Sequence, residues 1–251
     1  MSAPGRAPVR LSVLLVMIAS GTILMPLNSV MLVVALPRIM AEFSISISTA
    51  TWLMTGYLIA FSAVQPICGR LGDMYGHQRL FQIGVLCFAG ASLVCALAPN
   101  FPALLFGRML QAAAGSAMVP NGFTIIRYQT APATRGRAMG LLGGCNATAA
   151  AISPAIGGFL VQMFDWQAIF YVNLVIIAIG LTLATLVVGR ITTPMDKTTR
   201  FDNLGSALLG LFSISLTLGI SATGNREMVG FSTWWLFAAA AVSITLFLAQ
   251  E

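Results

Sequence analysis

The sequence predicts an all-α integral membrane protein with eight transmembrane helices: a six-helix bundle of two inverted three-helix repeats, then two linker helices. Three observations carry this. The chain is 58% hydrophobic and 8% charged, where a soluble domain is about 25% charged. Leu11 to Pro37, Ser44 to Gly69, Leu80 to Gly107, Ala138 to Phe164 and Trp166 to Gly189 contain no Asp, Glu, Lys or Arg. Runs of about 20 apolar residues are long enough to cross the hydrocarbon core of a bilayer. The third observation is the segregation of basic residues described below.

The first span, Leu11–Leu36, is too long for a signal-peptide core, and no small-residue cleavage site follows it. Thr51–Cys68 is the second span and ends in a P-x-x-G at Pro66 and Gly69. Leu80–Ala98 is the third. Ala103–Ile126, the fourth, holds Arg108, the one charge inside a span. Ala138–Met163, the fifth, repeats P-x-x-G at Pro154 and Gly157, and the same shift lays span one on span four. This repeat divides the six spans into two threes. Gln167–Gly189 is the sixth, closing a bundle over residues 1–190. The polar, basic stretch 191–203, with Thr192, Thr193, Pro194 and Lys197, reads as a cytoplasmic linker. Leu204–Ala222 and Ser232–Gln250 are the two further spans of residues 204–251, and the chain reads as truncated after them.

Charge sets the orientation. With the N-terminus in the cytoplasm, Arg6, Arg10, Arg70, Arg79, Arg127, Arg135, Arg137, Arg190, Lys197 and Arg200 fall inside, and only Arg38 and Arg226 outside. That asymmetry follows the positive-inside rule and puts both termini in the cytoplasm. The net charge of +6 is thereby topological and calls for no nucleic-acid partner. Trp52, Trp166, Trp234 and Trp235 fall at outer span ends, as interfacial anchors do. Cys68, Cys87, Cys95 and Cys145 lie in or beside spans without metal-like spacing and read as small packing residues. His77 is the single histidine, and no cluster of His, Asp and Glu stands at a span end. Metal, cofactor and enzyme readings therefore have no residues to rest on.

Three features depart from plain membrane helix. "GRLGDMYGHQRL", Gly69 to Leu80, gathers charge between spans two and three and spaces it with Gly69, Gly72 and Gly76. It reads as a short loop whose glycines allow close approach and whose Asp73 pairs with an Arg or faces a helix N-terminus. Arg108 in mid-span costs about 2.5–3.5 kcal/mol on insertion scales, which places it in a bundle interior or wet cavity. Gln111 lies one turn on, with Gly115 and Gly122 on nearly the same face. Span five carries two small-residue stripes, one through Gly140, Gly144, Pro154 and Gly158 and one through Asn146, Ser153 and Gly157. Such stripes let helices approach closely in lipid.

G-x-L-x-D-x-x-G at Gly69, Leu71, Asp73 and Gly76 resembles the loop motif of the major facilitator superfamily. "TWLMTGYLIAFSAVQPICGRLGD", "RMLQAAAGSAMVP", "RGRAMG", "DWQAIFYVN" and "FDNLG" follow one another as in its 14-helix drug:proton antiporter branch. The resemblance implies a gating role for Gly69, Asp73, Gly76 and Arg79, although Met74, His77 and Gln78 stand where the family usually shows basic residues. It implies proton coupling or substrate binding at Arg108 and Gln111, and close interdomain packing at Ser153, Pro154, Gly157 and Gly158, with Ser153 where Gly is usual. Branch members carry an acid in span one, whereas "LNSVMLVVALP" from Leu27 has Asn28 there, and an amide does not titrate.

The chain is thus expected to be the N-terminal half, plus central helices, of a secondary transporter in the cell inner membrane. It would export drug-like or amphipathic small molecules by alternating access. Asn28, Arg108, Gln111 and Asn146 would line the cavity. Protons, the bilayer and an absent C-terminal half are the further expected partners. A non-transporting assembly or sensor protein of the same fold is the alternative.

Overall fold

A computed structural model of the chain describes residues 11–187, 203–224 and 233–250. Among the described residues the regular elements are all helices. They are α1 (Leu11–Thr22), α2 (Leu24–Phe43), α3 (Ile47–Ala50), α4 (Trp52–Tyr75), α5 (His77–Ala96), α6 (Phe101–Gln129), α7 (Pro132–Phe164), α8 (Ala168–Val187), α9 (Asn203–Gly224) and α10 (Trp234–Gln250). The expected linker, 191–203, lies outside the described residues apart from Asn203, which opens α9.

α1 and α2 form one span. Ile23 N–H donates to Ala19 O at 2.9 Å and its carbonyl accepts from Leu27 N–H at 3.1 Å, so the hydrogen-bond ladder passes through the joint. The span runs on past Leu36, across Pro37 and Arg38, until Ser44 adopts φ 50. Ser46 then caps α3 by accepting from Thr49 N–H at 3.2 Å. α4 likewise continues beyond Cys68 to Tyr75. The expected loop from Gly69 to Leu80 is therefore helix on both sides of one residue, Gly76, at φ 94. The physical reason is common to both corrections. Charge marks where a helix leaves hydrocarbon, and the helix itself can run on into the headgroup and water region. α6 starts at an Asn100 cap, which accepts from Ala103 N–H at 3.0 Å, and α7 starts at Pro132, six residues before the expected Ala138.

Among the described residues, five helical stretches are long and apolar enough to cross a membrane: Leu11–Phe43, Ile47–Tyr75, His77–Ala96, Pro132–Phe164 and Leu204–Thr223. α6 is absent from that set because Arg108, Gln111 and Asn121 dilute its apolar content, and those three side chains are fully buried. α6 is the central post of the bundle.

The packing is that of two three-helix units. Span one meets span five (α2 on α7) as span four meets span two (α6 on α4). Span one meets span six (α1 on α8) as span four meets span three (α6 on α5), while α1 on α6 and α5 on α8 pair equivalent helices of the two units. α9 and α10 pack on each other, and α9 lies against α4.

The apolar core is split in two. One cluster gathers Ile18, Met25, Tyr57, Phe81, Phe88, Ala112, Met118 and Ile177, and the other Met31, Leu53, Cys95, Leu104, Trp166 and Phe170. Trp166 is a correction. It is fully buried, with Phe43 and Phe170 edge-on at 5.8 and 6.1 Å, and its Nε1 donates to Glu42. It staples the α7–α8 corner to the end of α2 and is no interfacial anchor, whereas Trp234 and Trp235 remain exposed.

Candidate functional site

Between the two apolar clusters lies a layer of polar side chains. On each helix the sequence steps from one cluster to the other across it: Met25–Asn28–Met31 on α2, Phe88–Ser92–Cys95 on α5, Leu104–Arg108–Ala112 on α6 and Phe170–Asn173–Ile177 on α8. The layer is one hydrogen-bonded network. Gln111 is its hub: Oε1 accepts from Arg108 Nη1 at 2.9 Å and from Asn28 Nδ2 at 3.2 Å, and Nε2 donates to Ser92 Oγ at 2.8 Å. Asn173 Nδ2 reaches the same Ser92 oxygen at 3.4 Å, and Ser92 Oγ donates to Phe88 O at 2.8 Å. Asn28, Ser92, Arg108, Gln111 and Asn173 are all buried.

The Arg108 charge is met without a carboxylate. Its Cζ stands 4.2 Å from the centroid of the buried Tyr57 ring. A guanidinium over an aromatic face within about 6 Å is attracted by the ring quadrupole, worth about 2 kcal/mol when desolvated. Arg108 Nε, Asn28 Oδ1 and Asn173 Oδ1 are buried with no hydrogen-bond partner. An interior cation with donor and acceptor atoms still free has the chemistry to hydrogen-bond an anion or a polar ligand atom.

The structure brings Asn28, Arg108 and Gln111 together and leaves Asn146 out, but it buries the three in the bundle, and none of the four expected cavity residues lines the groove between α1–α2 and α7. Asn146 sits half-buried on α7, makes no bond to the network, and its Oδ1 has no partner. Tyr57, Ser92 and Asn173 were missed. Two of them stand inside quoted motif stretches, in "TGYLIA" and "FYVN". The signal was present but carries no charge, and a Ser or Asn in a span reads equally as packing.

Span five behaves differently from a single packing face. Ser153 is buried and bonds back to Ala149 O, and Gly157 lies against the backbone of Met31 on α2. Gly158 stands near Val34, while Pro154 is exposed. Gly136, Gly140, Gly143 and Gly144 have open space in front of them. A groove runs between α1–α2 and this face of α7 as two adjoining cavities of about 400 and 650 Å³, which share Val16, Ala19, Leu141 and Cys145. Its walls are apolar. Arg137 and Thr134 flank one end, and Leu27, next to Asn28, lies toward the other.

At the α4–α5 corner, Gly69 faces open space and Arg79 is exposed. Asp73 lies 3.3 Å from His77 Nε2 and pairs with it.

A model of the Major Facilitator Superfamily matches residues 18–250. The chain is 38% identical over 221 residues to the uncharacterized MFS-type transporter YvkA of Bacillus subtilis, covering 88% of this chain and 49% of that protein. It is 30% identical to the tetracenomycin C resistance and export protein of Streptomyces glaucescens, covering 94% of this chain and 44% of that one. The crystal structure of the POT family transporter PepTSo superposes with a TM-score of 0.67 at 14% identity, over 98% of this chain and 52% of that one. The chain spans about half the length of the curated relatives it matches. Helical architecture, apolar spans and family match agree: this multi-pass membrane chain belongs to the Major Facilitator Superfamily.

Proposed function

We propose that the chain is the first half of a secondary transporter that exports amphipathic small molecules by alternating access. The observation that carries this reading is the buried network around Arg108. It gathers side chains from α2, α5, α6 and α8 at the meeting of the two three-helix units. Polar groups buried in a membrane domain are expensive and mark ligand or ion pathways. Arg108 and Gln111 are the substrate or coupling residues, Asn28 a polar wall, and Asn146 a wall residue nearer the open face of α7. The apolar groove between α1–α2 and α7 supports an apolar ligand body. Arg108, whose network holds no carboxylate, supports an anionic or neutral head group, and Asn28 supplies no titratable group beside it.

The working partner is a second six-helix half that would close the site opposite this one, a reading supported by the length of the relatives. Pro154, Gly158 and the open glycines of α7 are the surface for it, and Gly69, Asp73, Gly76 and Arg79 form the gate at the other corner. The membrane is the cell inner membrane, with both ends of the chain cytoplasmic and residues 1–190 acting as one bundle. The test is transport by the full-length protein in vesicles, with anionic, neutral and cationic amphiphiles of matched size. Saturable, gradient-driven transport of the anion or the neutral compound supports the reading. Transport of the cation alone, or of none, refutes it.

A further inference from the structure

The corner between α4 and α5 holds a second buried polar cluster, separate from the Arg108 network. His77 and Asn121 are both buried there, and Asn121 Oδ1 stands 2.7 Å from His77 Nδ1. The direction of that bond follows from the rest of the amide. Asn121 Nδ2 faces two backbone carbonyls, Ala117 O at 2.8 Å and Cys68 O at 3.2 Å. Carbonyls only accept, so the nitrogen of the amide must face them and Oδ1 must face the ring. Oδ1 in turn only accepts. His77 Nδ1 therefore carries a hydrogen.

A neutral imidazole has one N–H. With that hydrogen on Nδ1, a neutral ring would leave Nε2 as a bare lone pair. His77 Nε2 is buried, makes no aligned hydrogen bond, and lies 3.3 Å from Asp73 Oδ1. A buried lone pair set against a carboxylate oxygen is two acceptors with no donor. A hydrogen on Nε2 turns the same contact into a charge-assisted pair. Of the other ionisable groups packed here, Tyr128 of α6 meets the ring at 6.0 Å between centroids. The only Tyr of α8, Tyr171, lies at the opposite end of the bundle, and α8 has no Asp, Glu, Lys or Arg.

We propose that this corner is a proton-binding site, in which His77 Nε2 holds the proton between the Asn121 amide and the Asp73 carboxylate. Asp73 is half exposed, with 49% of its side-chain surface accessible. It is the route by which the proton exchanges with water. Gly72 is what lets the three side chains meet: a Cβ there would run into Asn121 Oδ1 and stand 2.5 Å from His77 Nδ1. Binding the proton ties the end of α4 to the start of α5, while the Nδ1 bond to Asn121 holds α5 to α6.

His77 is the only histidine in the chain, so its ring nitrogens are read without assignment. The test is the ¹⁵N spectrum of the histidine-labelled full chain in lipid nanodiscs at neutral pH. The wild type is expected to show both ring nitrogens protonated. Asp73→Asn, whose amide can donate to Nε2, is expected to show a neutral ring protonated on Nδ1 only. Retention of the Nδ1 hydrogen in that variant also reports that the Asn121 contact is intact. A wild-type ring with a bare Nε2 overturns the proposal, with no variant needed. So does an unchanged, doubly protonated ring in Asp73→Asn.

Discussion

Arg108 and Tyr57 face each other across α6 and α4, with the guanidinium carbon 4.2 Å from the ring centroid and no carboxylate in the network they share. The ring stands where a counter-ion would otherwise be needed. Tyr57→Leu is expected to lower stability by about 2 kcal/mol, the size of a desolvated cation–π contact. Tyr57→Phe keeps the ring and loses the hydroxyl contacts to Met25 Sδ and Ser29, so it is expected to fall by about 1 kcal/mol. Thermal unfolding of the two variants in nanodiscs checks the order. Equal losses would show that the hydroxyl, not the ring, matters.

Trp166 offers a test of the opposite end. Trp166→Phe removes the Nε1 donor to Glu42 and part of the packing on Phe43 and Phe170. A loss of about 2 kcal/mol is expected. Glu42→Gln keeps an acceptor in place and is expected to lose less than half of that. A harmless Trp166→Phe, measured by thermal unfolding, would show that the α7–α8 corner is not held by this contact.

Much of the fold was legible because the bilayer leaves few choices: uncharged runs of spanning length are helices. What the sequence obscured was where helices stop. Pro37, Arg38 and the Gly69–Asp73 stretch read as chain breaks and are helical, since leaving hydrocarbon imposes no turn. In the site, Arg108 and Gln111 announced themselves by cost and spacing, and Asn28 by where it stands. Ser92 and Asn173 did not. Each is a small polar residue on a separate helix, and only the fold shows that both serve the Gln111 hub. His77 looked like a departure from a basic motif and is instead buried between Asp73 and Asn121.

Asn28→Asp gives the network an ionisable group where the parent has an amide bonded to Gln111 at 3.2 Å. The carboxylate has no hydrogen to give Gln111 when ionised and has one when protonated. The variant is therefore expected to fold and to show a pH dependence of thermal stability or ligand affinity that differs from the parent's. Parallel titrations of both proteins, with one anionic and one cationic ligand, provide the comparison. Superimposable profiles would remove position 28 from the pathway.

Topology is tested by labelling. In a chain whose four cysteines are replaced, Ala133→Cys at the start of α7 and Thr223→Cys at the end of α9 are both exposed positions. A membrane-impermeant maleimide added to intact cells is expected to label position 223 and to spare position 133. The reverse pattern would invert the orientation argued from the basic residues.

The central claim is that the Arg108 network binds what is moved. It is tested most directly by transport through the full-length protein carrying Arg108→Ala and Arg108→Lys at matched membrane expression. Arg108→Ala is expected to abolish saturable transport while leaving expression largely intact. Arg108→Lys is expected to recover little, because an ammonium lacks the planar guanidinium that donates to Gln111 and stands over the Tyr57 ring. Normal transport by Arg108→Ala at equal expression would contradict the account and leave Arg108 as a packing residue of the bundle core.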